Sequence, residues 1–207
     1  MNKNLTSLML LIAFLGNGLI AYLFFGRGFA HLSEEGDVLE SLQAGFLALG
    51  GLGFLAVAYL AEQRFRLAFL SCFLLCLTFL LREVDVQDYQ LPRLAILLGS
   101  GMGRNFLLLL AWTGVAIGMS RNLRVELRTF RDCILSQPGL FMTAGGFFVI
   151  AGSLFDSQII NISHYGFYEE LAELDGHFLI LQSSLAALCG LKSTTIVSHQ
   201  QFEPHLS

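Results

Sequence analysis

Carboxylates and one histidine are concentrated at the start of the last apolar segment. Only 14% of the residues are charged, yet the nine residues from Glu169 to His177 contain four carboxylates and an imidazole. In a helix that starts at Glu170, with about 100° of rotation per residue, Glu173, His177 and Ser184 lie on the same side as Glu170. The spacing therefore predicts a polar stripe along one helix face.

This stripe suits two kinds of chemistry. Glu173 and His177 are separated by one helical turn, which is the spacing of two metal ligands on one helix face. A divalent metal ion bound there could activate water. The protein would then be a hydrolase or transferase acting on a lipid-linked substrate, with these two residues as the catalytic candidates. Alternatively, the stripe relays protons or ions, because ionisable groups within membrane spans often mark such paths. The structural alternative is that Glu169 and Asp175 are solvated charges at a helix start and that His177 hydrogen-bonds a neighbour.

Other segments offer partners for the stripe. One face of the second apolar segment carries Glu40 and Gln43, followed by Leu47, Gly50 and Gly51. Small residues of this kind allow a neighbouring helix to approach closely. Acidic residues also end the third and fifth segments, at Glu83, Asp85 and Asp156. The candidate ligands for an ion or metal are Glu40, Glu83, Glu170, Glu173 and His177.

The composition predicts an integral membrane protein. Hydrophobic residues make up 55% of the 207 residues, and the mean hydropathy is +0.65. They fall in runs of about 18 residues or more, which is long enough to cross a hydrocarbon core of roughly 30 Å. A basic surface of useful size for nucleic acid is absent from the sequence, so we expect no nucleic-acid partner.

We expect an all-α bundle of six transmembrane helices that forms a single domain over residues 1–191. Residues 192–207 are predicted to be a polar cytoplasmic tail. The first apolar run is too long for a signal peptide and lacks a cleavage site, so it is interpreted as a retained helix. The predicted spans are residues 5–25, 38–61, 67–82, 94–119, 140–160 and 170–191.

The basic residues predict the orientation. With both termini in the cytoplasm, eight of the twelve basic residues face the cytoplasm and twelve of the sixteen acidic residues face outward. This distribution satisfies the positive-inside rule and predicts a cell inner membrane with a strongly acidic outer face.

Arginines mark two further features. Arg104 interrupts the fourth span, which is either one long helix or a short re-entrant piece before a shorter helix. A membrane-buried arginine is costly, so we expect it to pair with Glu40, Glu83, Asp156 or Glu173. Residues 121–135 predict an amphipathic helix at the interface, whose arginines bind anionic lipid headgroups. These arginines are Arg121, Arg124, Arg128 and Arg131.

Three functions remain open from the sequence. The favoured one is a structural or accessory subunit that packs against other membrane subunits or a second copy of the chain. The alternatives are a membrane-embedded hydrolase or transferase, with a divalent metal as its possible cofactor, and an ion- or proton-coupled carrier. The accessory subunit requires only a well-packed bundle. The enzyme requires an open pocket with converging ligands, and the carrier requires a polar route across the membrane.

Overall fold

Six helices of the computed structural model are long and apolar enough to cross a membrane. The structure describes residues 3–28, 38–84, 100–157 and 162–200. The described part of the chain forms α1 (Lys3–Ala21, continued by a π-helical turn at Tyr22–Gly26), α2 (Val38–Leu60), α3 (Gln63–Glu83), α4 (Gly101–Arg121), α5 (Leu123–Ile134), α6 (Gln137–Asp156) and α7 (Tyr165–Gln200). The predicted all-α membrane bundle is confirmed, and the chain is a multi-pass membrane protein.

The last helix is the centre of the bundle. α7 packs most extensively against α6 and α2, and α2 also packs against α3. The contact between α6 and α7 is close because glycines face each other. A Cβ added at Gly145 would lie 2.7 Å from the carbonyl oxygen of Gly176, and one added at Gly176 would lie 2.8 Å from that of Gly145. Small residues thus bring the two backbones into contact, as is common between membrane helices.

The predicted face of α2 is the face that packs on α7. Gln43, Leu47, Gly50 and Gly51 are buried, and a Cβ at Gly50 would lie 3.4 Å from the Cα of Leu181. The small-residue prediction is therefore confirmed at Gly50.

The outer helices have fewer contacts. α4 is held mainly by α3, and α1 touches α7 along a short stretch. Near its end, the Phe24 ring stacks on Phe167 with centroids 4.2 Å apart and meets His164 edge-on. His164 starts the turn into α7 with a φ of 63°, a left-handed conformation that is uncommon outside glycine. These aromatic contacts fix the turn immediately before the acidic stretch.

The structure differs from the predicted boundaries at two places. The fourth helix begins at Gly101, so Arg104 lies in its first turn rather than inside a long span. One continuous helix over residues 94–119 is therefore wrong, because Ser100 is extended and caps a helix that starts at Gly101. Residues 94–99 lie outside the described part, so the re-entrant piece stays a prediction. The last helix begins at Tyr165 and continues to Gln200 instead of ending at 191. Since neither proline nor a further glycine follows Gly190 before residue 200, the sequence contains no strong stop there.

Candidate functional site

The polar stripe of α7 faces the interior of the bundle. Glu173 is 3% exposed, His177 1% and Ser184 0%, while Glu170 at the start of the stripe is half-buried. Three polar side chains in a row are therefore withdrawn from both solvent and lipid. Burial of this kind is expensive unless each polar group finds a partner.

Arg82 is the partner of Glu173. Its Nη2 donates hydrogen bonds to both carboxylate oxygens of Glu173, at 2.6 and 2.8 Å, and its Nε donates to Glu83 at 3.1 Å. The side chain of Glu173 is 5% exposed and that of Arg82 is 51% exposed. The pair thus joins the buried face of α7 to the end of α3. A buried carboxylate is tolerated in such a place when it is paired and hydrogen-bonded.

Among the described residues, Arg104 contacts a backbone carbonyl rather than the carboxylate that we expected. Nη1 of Arg104 donates to the backbone carbonyl of Leu81 at 2.5 Å. Because α4 starts only at Gly101, Arg104 lies near the membrane boundary, at the level of the last turn of α3. There a carbonyl freed at a helix end can accept its hydrogen bond. Arg82 is the last residue of the third predicted span, and nothing in the sequence indicates that it pairs with Glu173.

Gln43 connects α2 to the same region. Its Nε2 donates to the backbone carbonyl of Glu170 at 3.0 Å and to the Glu170 carboxylate at 2.8 Å. The side chain is completely buried, and its Oε1 has no hydrogen-bond partner. A buried carbonyl oxygen without a donor points to a missing proton donor or cation.

Several of the carboxylates that the sequence placed at one end of the bundle lie close together, while Asp85 lies outside the described residues. Glu83 is close enough to Glu40 and Glu173 for electrostatic interaction, and Glu170 interacts with the same three carboxylates. Asp156 interacts in the same way with Glu169. We call the set Glu40, Glu83, Glu170 and Glu173 the acidic cluster. Arg82 lies within it, and the excess of negative charge favours cations.

His177 lies one helical turn below Glu173. Its ring is 6.1 Å from that of Phe79, and its Nδ1 is buried without a hydrogen-bond partner. The ring is also close enough to Arg82 for electrostatic interaction. Buried imidazoles normally use their ring nitrogens in hydrogen bonds, and an imidazole next to a buried ion pair is a group that can take up and release a proton.

Polar groups continue towards the opposite end of the membrane span. Ser183 is buried and donates to the carbonyl of Pro138 at 2.6 Å, at the first turn of α6. Ser184 donates to the carbonyl of Leu181 at 2.8 Å, and a Cβ at Gly53 would lie 2.7 Å from its Oγ. From Glu170 to Ser184 the helix rises about 21 Å at 1.5 Å per residue, compared with a hydrocarbon core of about 30 Å. The polar column of α7, which comprises Glu170, Glu173, His177 and Ser184 on one face, therefore extends over about two thirds of that thickness, whereas Ser183 is directed towards α6.

A second polar face of α7 was not predicted. Asp175 was interpreted as a solvated charge, but Nδ2 of Asn17 lies 2.8 Å from each of its carboxylate oxygens. Two turns further along, Gln182 is completely buried, and neither its Nε2 nor its Oε1 has a partner. The spacing of Asp175 and Gln182, seven residues apart on one helix, is the signal that a wider search for stripes would have found.

The arginines of the amphipathic helix are exposed. α5 buries Thr129, while Arg121 just before it and Arg124, Arg128 and Arg131 within it are exposed. Arg131 pairs with Asp132 at 3.1 Å. The predicted amphipathic helix is present, and its apolar residues Leu123, Leu127 and Ile134 are exposed as well as its arginines.

Metal ligands are not grouped in the described part of the chain. Among those residues, no set of three or more histidine, cysteine, aspartate and glutamate side chains is placed to hold an ion. The hypothesis of a divalent metal at Glu173 and His177 thus rests on their spacing in the sequence.

Comparisons with protein-family models, with curated proteins and with solved structures find no match for this chain. The function has to be inferred from the site itself.

Proposed function

We propose that the protein is a cation- or proton-coupled carrier of the cell inner membrane, with both termini in the cytoplasm, and that the polar column of α7 is its ion path. The observation that carries the proposal is His177, which is 1% exposed with an unpartnered Nδ1 and lies one turn from the Arg82–Glu173 pair. Ionisable groups inside membrane spans are expensive, and they commonly mark routes for protons or ions.

The charge of the site favours a positive ion over an anion. In the described part of the chain, Glu83 and Glu170 lie close to Glu173 and to Glu40, so carboxylates from α2, α3 and α7 gather around the guanidinium of Arg82. A proton or small cation that reaches Glu173 competes with Arg82 for the same oxygens. Arg82, which is half-exposed, can then turn towards Glu83, to which it is already hydrogen-bonded.

The unpartnered atoms favour a carrier over a purely structural bundle. An accessory subunit, which the sequence alone favoured, accounts for the glycine contacts between helices. It gives no reason to bury Nδ1 of His177 and Oε1 of Gln43 without partners, at a cost of about 1–3 kcal/mol for each such group. An ion path requires polar atoms that a passing ion, proton or water can use.

Ion flux through reconstituted protein separates the three functions. The purified protein is sealed into liposomes that contain a pH-sensitive dye, and gradients of Na⁺ or K⁺ are imposed in turn. A carrier changes the internal pH when a gradient of the coupled cation is imposed, or when a membrane potential drives protons inward. Internal pH that follows the protein-free liposomes under every gradient and potential would favour the accessory role.

Metal analysis of the same preparation addresses the enzyme alternative. A stoichiometric divalent metal that is lost in Glu173→Gln and His177→Ala would favour the hydrolase or transferase. Metal below one equivalent in the unsubstituted protein, together with ion flux, favours the carrier.

A further inference from the structure

An apolar groove lies between α3, α4 and α6 at the end of the bundle where α5 crosses. Its volume is about 320 Å³, and its wall is almost entirely apolar. The side chains that matter below are Leu75, Trp112, Met119, Phe130 and Met142. Phe130 belongs to α5, so the amphipathic helix closes one end of the groove.

The groove suits a hydrocarbon chain. A cavity without polar partners does not hold ordered water, and apolar cavities of this kind instead take up apolar ligands. The outward side of α4 is exposed, with Phe106, Leu109 and Leu110 among its largest apolar side chains. In a membrane those residues contact lipid, so the groove is continuous with the acyl region of the bilayer.

The helix at the end of the groove selects the charge of its occupant. Arg124 and Arg128 are exposed on α5 and Arg121 is exposed at the end of α4, while Arg131 is paired with Asp132. Leu123 and Leu127 are 51% and 54% exposed beside them. An exposed apolar strip next to exposed arginines is the pattern of a helix lying at the level of lipid headgroups. Arginine also binds phosphate with two hydrogen bonds at once.

We propose that this groove is a binding site for an anionic phospholipid, with one acyl chain between Trp112 and Met142 and the phosphate on Arg124 and Arg128. The groove supplies the affinity for the chain, and the arginines supply the preference for a negative headgroup. The site is independent of the acidic cluster, which lies at the opposite end of the bundle.

The single tryptophan of the chain reports on the groove directly. Trp112 lines it, and its indole Nε1 donates to Thr78 Oγ1 at 3.3 Å, which fixes the ring. The protein is reconstituted into phosphatidylcholine vesicles of two kinds. One kind contains increasing fractions of phosphatidylglycerol with brominated acyl chains, and the other contains the same fractions of phosphatidylcholine with brominated acyl chains. Bromine quenches indole fluorescence only at close range. The proposal predicts stronger quenching by brominated phosphatidylglycerol than by brominated phosphatidylcholine at equal mole fraction.

Matched arginine variants test the headgroup contact. Each arginine near an anionic surface contributes about a fivefold preference, so Arg124→Gln with Arg128→Gln should lower the preference roughly tenfold or more. The control variant Arg64→Gln with Arg66→Gln removes the same charge from exposed arginines at the α2–α3 turn, away from the groove lining. This control should keep the preference for phosphatidylglycerol. Ala116→Phe fills the groove and should weaken quenching by both lipids.

Three results would overturn the proposal. Equal quenching by the two brominated lipids would remove the selective site. A preference that both arginine double variants retain would remove the role of α5. A preference abolished by soluble glycerol phosphate at millimolar concentration would show a phosphate site that does not need the acyl chain. Quenching of the arginine variants by brominated phosphatidylcholine provides the check that they are folded in the membrane, and the thermal midpoint in detergent provides it for Ala116→Phe.

Discussion

The guanidinium of Arg82 donates to both carboxylate oxygens of Glu173, at 2.6 and 2.8 Å, and so links the end of α3 to the buried face of α7. The two partners are unequal, because Glu173 is almost fully buried whereas Arg82 is half-exposed. The arginine can therefore leave the pair for water, but the carboxylate cannot. This inequality determines how the pair responds to substitution.

Arg82→Gln should destabilise the protein more than Glu173→Gln does. The first leaves a buried carboxylate without its counter-charge, and water at the exposed side of Arg82 reduces the cost to about 1–3 kcal/mol. The second removes the buried charge and keeps the shape of the side chain. The midpoint of thermal unfolding in detergent, compared among the single variants and the double variant, measures the difference.

The double variant is the control for this pair. If charge pairing is the cause, Arg82→Gln combined with Glu173→Gln should be more stable than Arg82→Gln alone, since no buried charge remains. A double variant that loses the sum of both single effects would contradict the pairing.

Adjacent glycines of α6 should respond in opposite ways to alanine. A Cβ at Gly145 would lie 2.7 Å from the carbonyl oxygen of Gly176, whereas a Cβ at Gly146 has no atom within 4 Å. Gly145→Ala should therefore push α6 away from α7 and lower the thermal midpoint. Gly146→Ala should leave it unchanged or raise it, because alanine favours the helix by up to about 1 kcal/mol over glycine. Equal losses at both positions would contradict the close contact.

The Asn17–Asp175 hydrogen bonds should hold α1 against α7. Asn17→Ala leaves the half-buried carboxylate of Asp175 without the donor that lies 2.8 Å from both of its oxygens. The exchange Asn17→Asp with Asp175→Asn recreates the same pair in reverse. Proteolysis of α1 in detergent micelles should be faster in Asn17→Ala and return towards the original rate in the exchanged protein. An exchanged protein cleaved as fast as Asn17→Ala would show that this contact does not anchor the helix.

Alkylation of Cys133 tests the placement of α5. Burial raises the pKa of the Cys133 thiol, and the charge of Asp132 raises it further. A raised pKa lowers the thiolate fraction at neutral pH, and the thiolate is the reactive form. In a protein with the other three cysteines replaced by alanine, maleimide labelling should be slow at neutral pH and accelerate only above the usual range for cysteine. Asp132→Asn should shift this rise to lower pH, and a profile identical to that of an exposed cysteine would contradict the burial.

Hydrophobic periodicity was sufficient to predict the helices and the inward face of α7. The run lengths identified six spans, and the 100° rotation placed Glu173, His177 and Ser184 on one side, where the structure buries them. These properties are local, because they depend only on residues that follow one another in the chain. The placement of most acidic residues at one end of the bundle also followed, since alternating spans return every second loop to the same end, but their convergence depends on how the helices pack.

Pairings between helices were harder to predict. Arg82 and Arg104 were both predicted on the same side of the membrane as Glu173, and the packing of α2 against both α3 and α7 brings Arg82 to Glu173. The start of α4 at Gly101 then leaves Arg104 beside the carbonyl of Leu81. The link between Asn17 and Asp175 was missed for the same reason, because nothing in α1 indicates which face of α7 it meets.

Proton flux through the Glu173 variant tests the proposed ion path most directly. Liposomes with internal pH dye are prepared with the unsubstituted protein, Glu173→Gln, His177→Ala and, as a control, Glu62→Gln, which removes an exposed carboxylate paired with Arg64 at the α2–α3 turn. The account predicts flux for the unsubstituted protein and Glu62→Gln, and at least a tenfold loss for Glu173→Gln and His177→Ala at equal amounts of folded protein. Undiminished flux in Glu173→Gln, or no flux in the unsubstituted protein above that of empty liposomes, would contradict it.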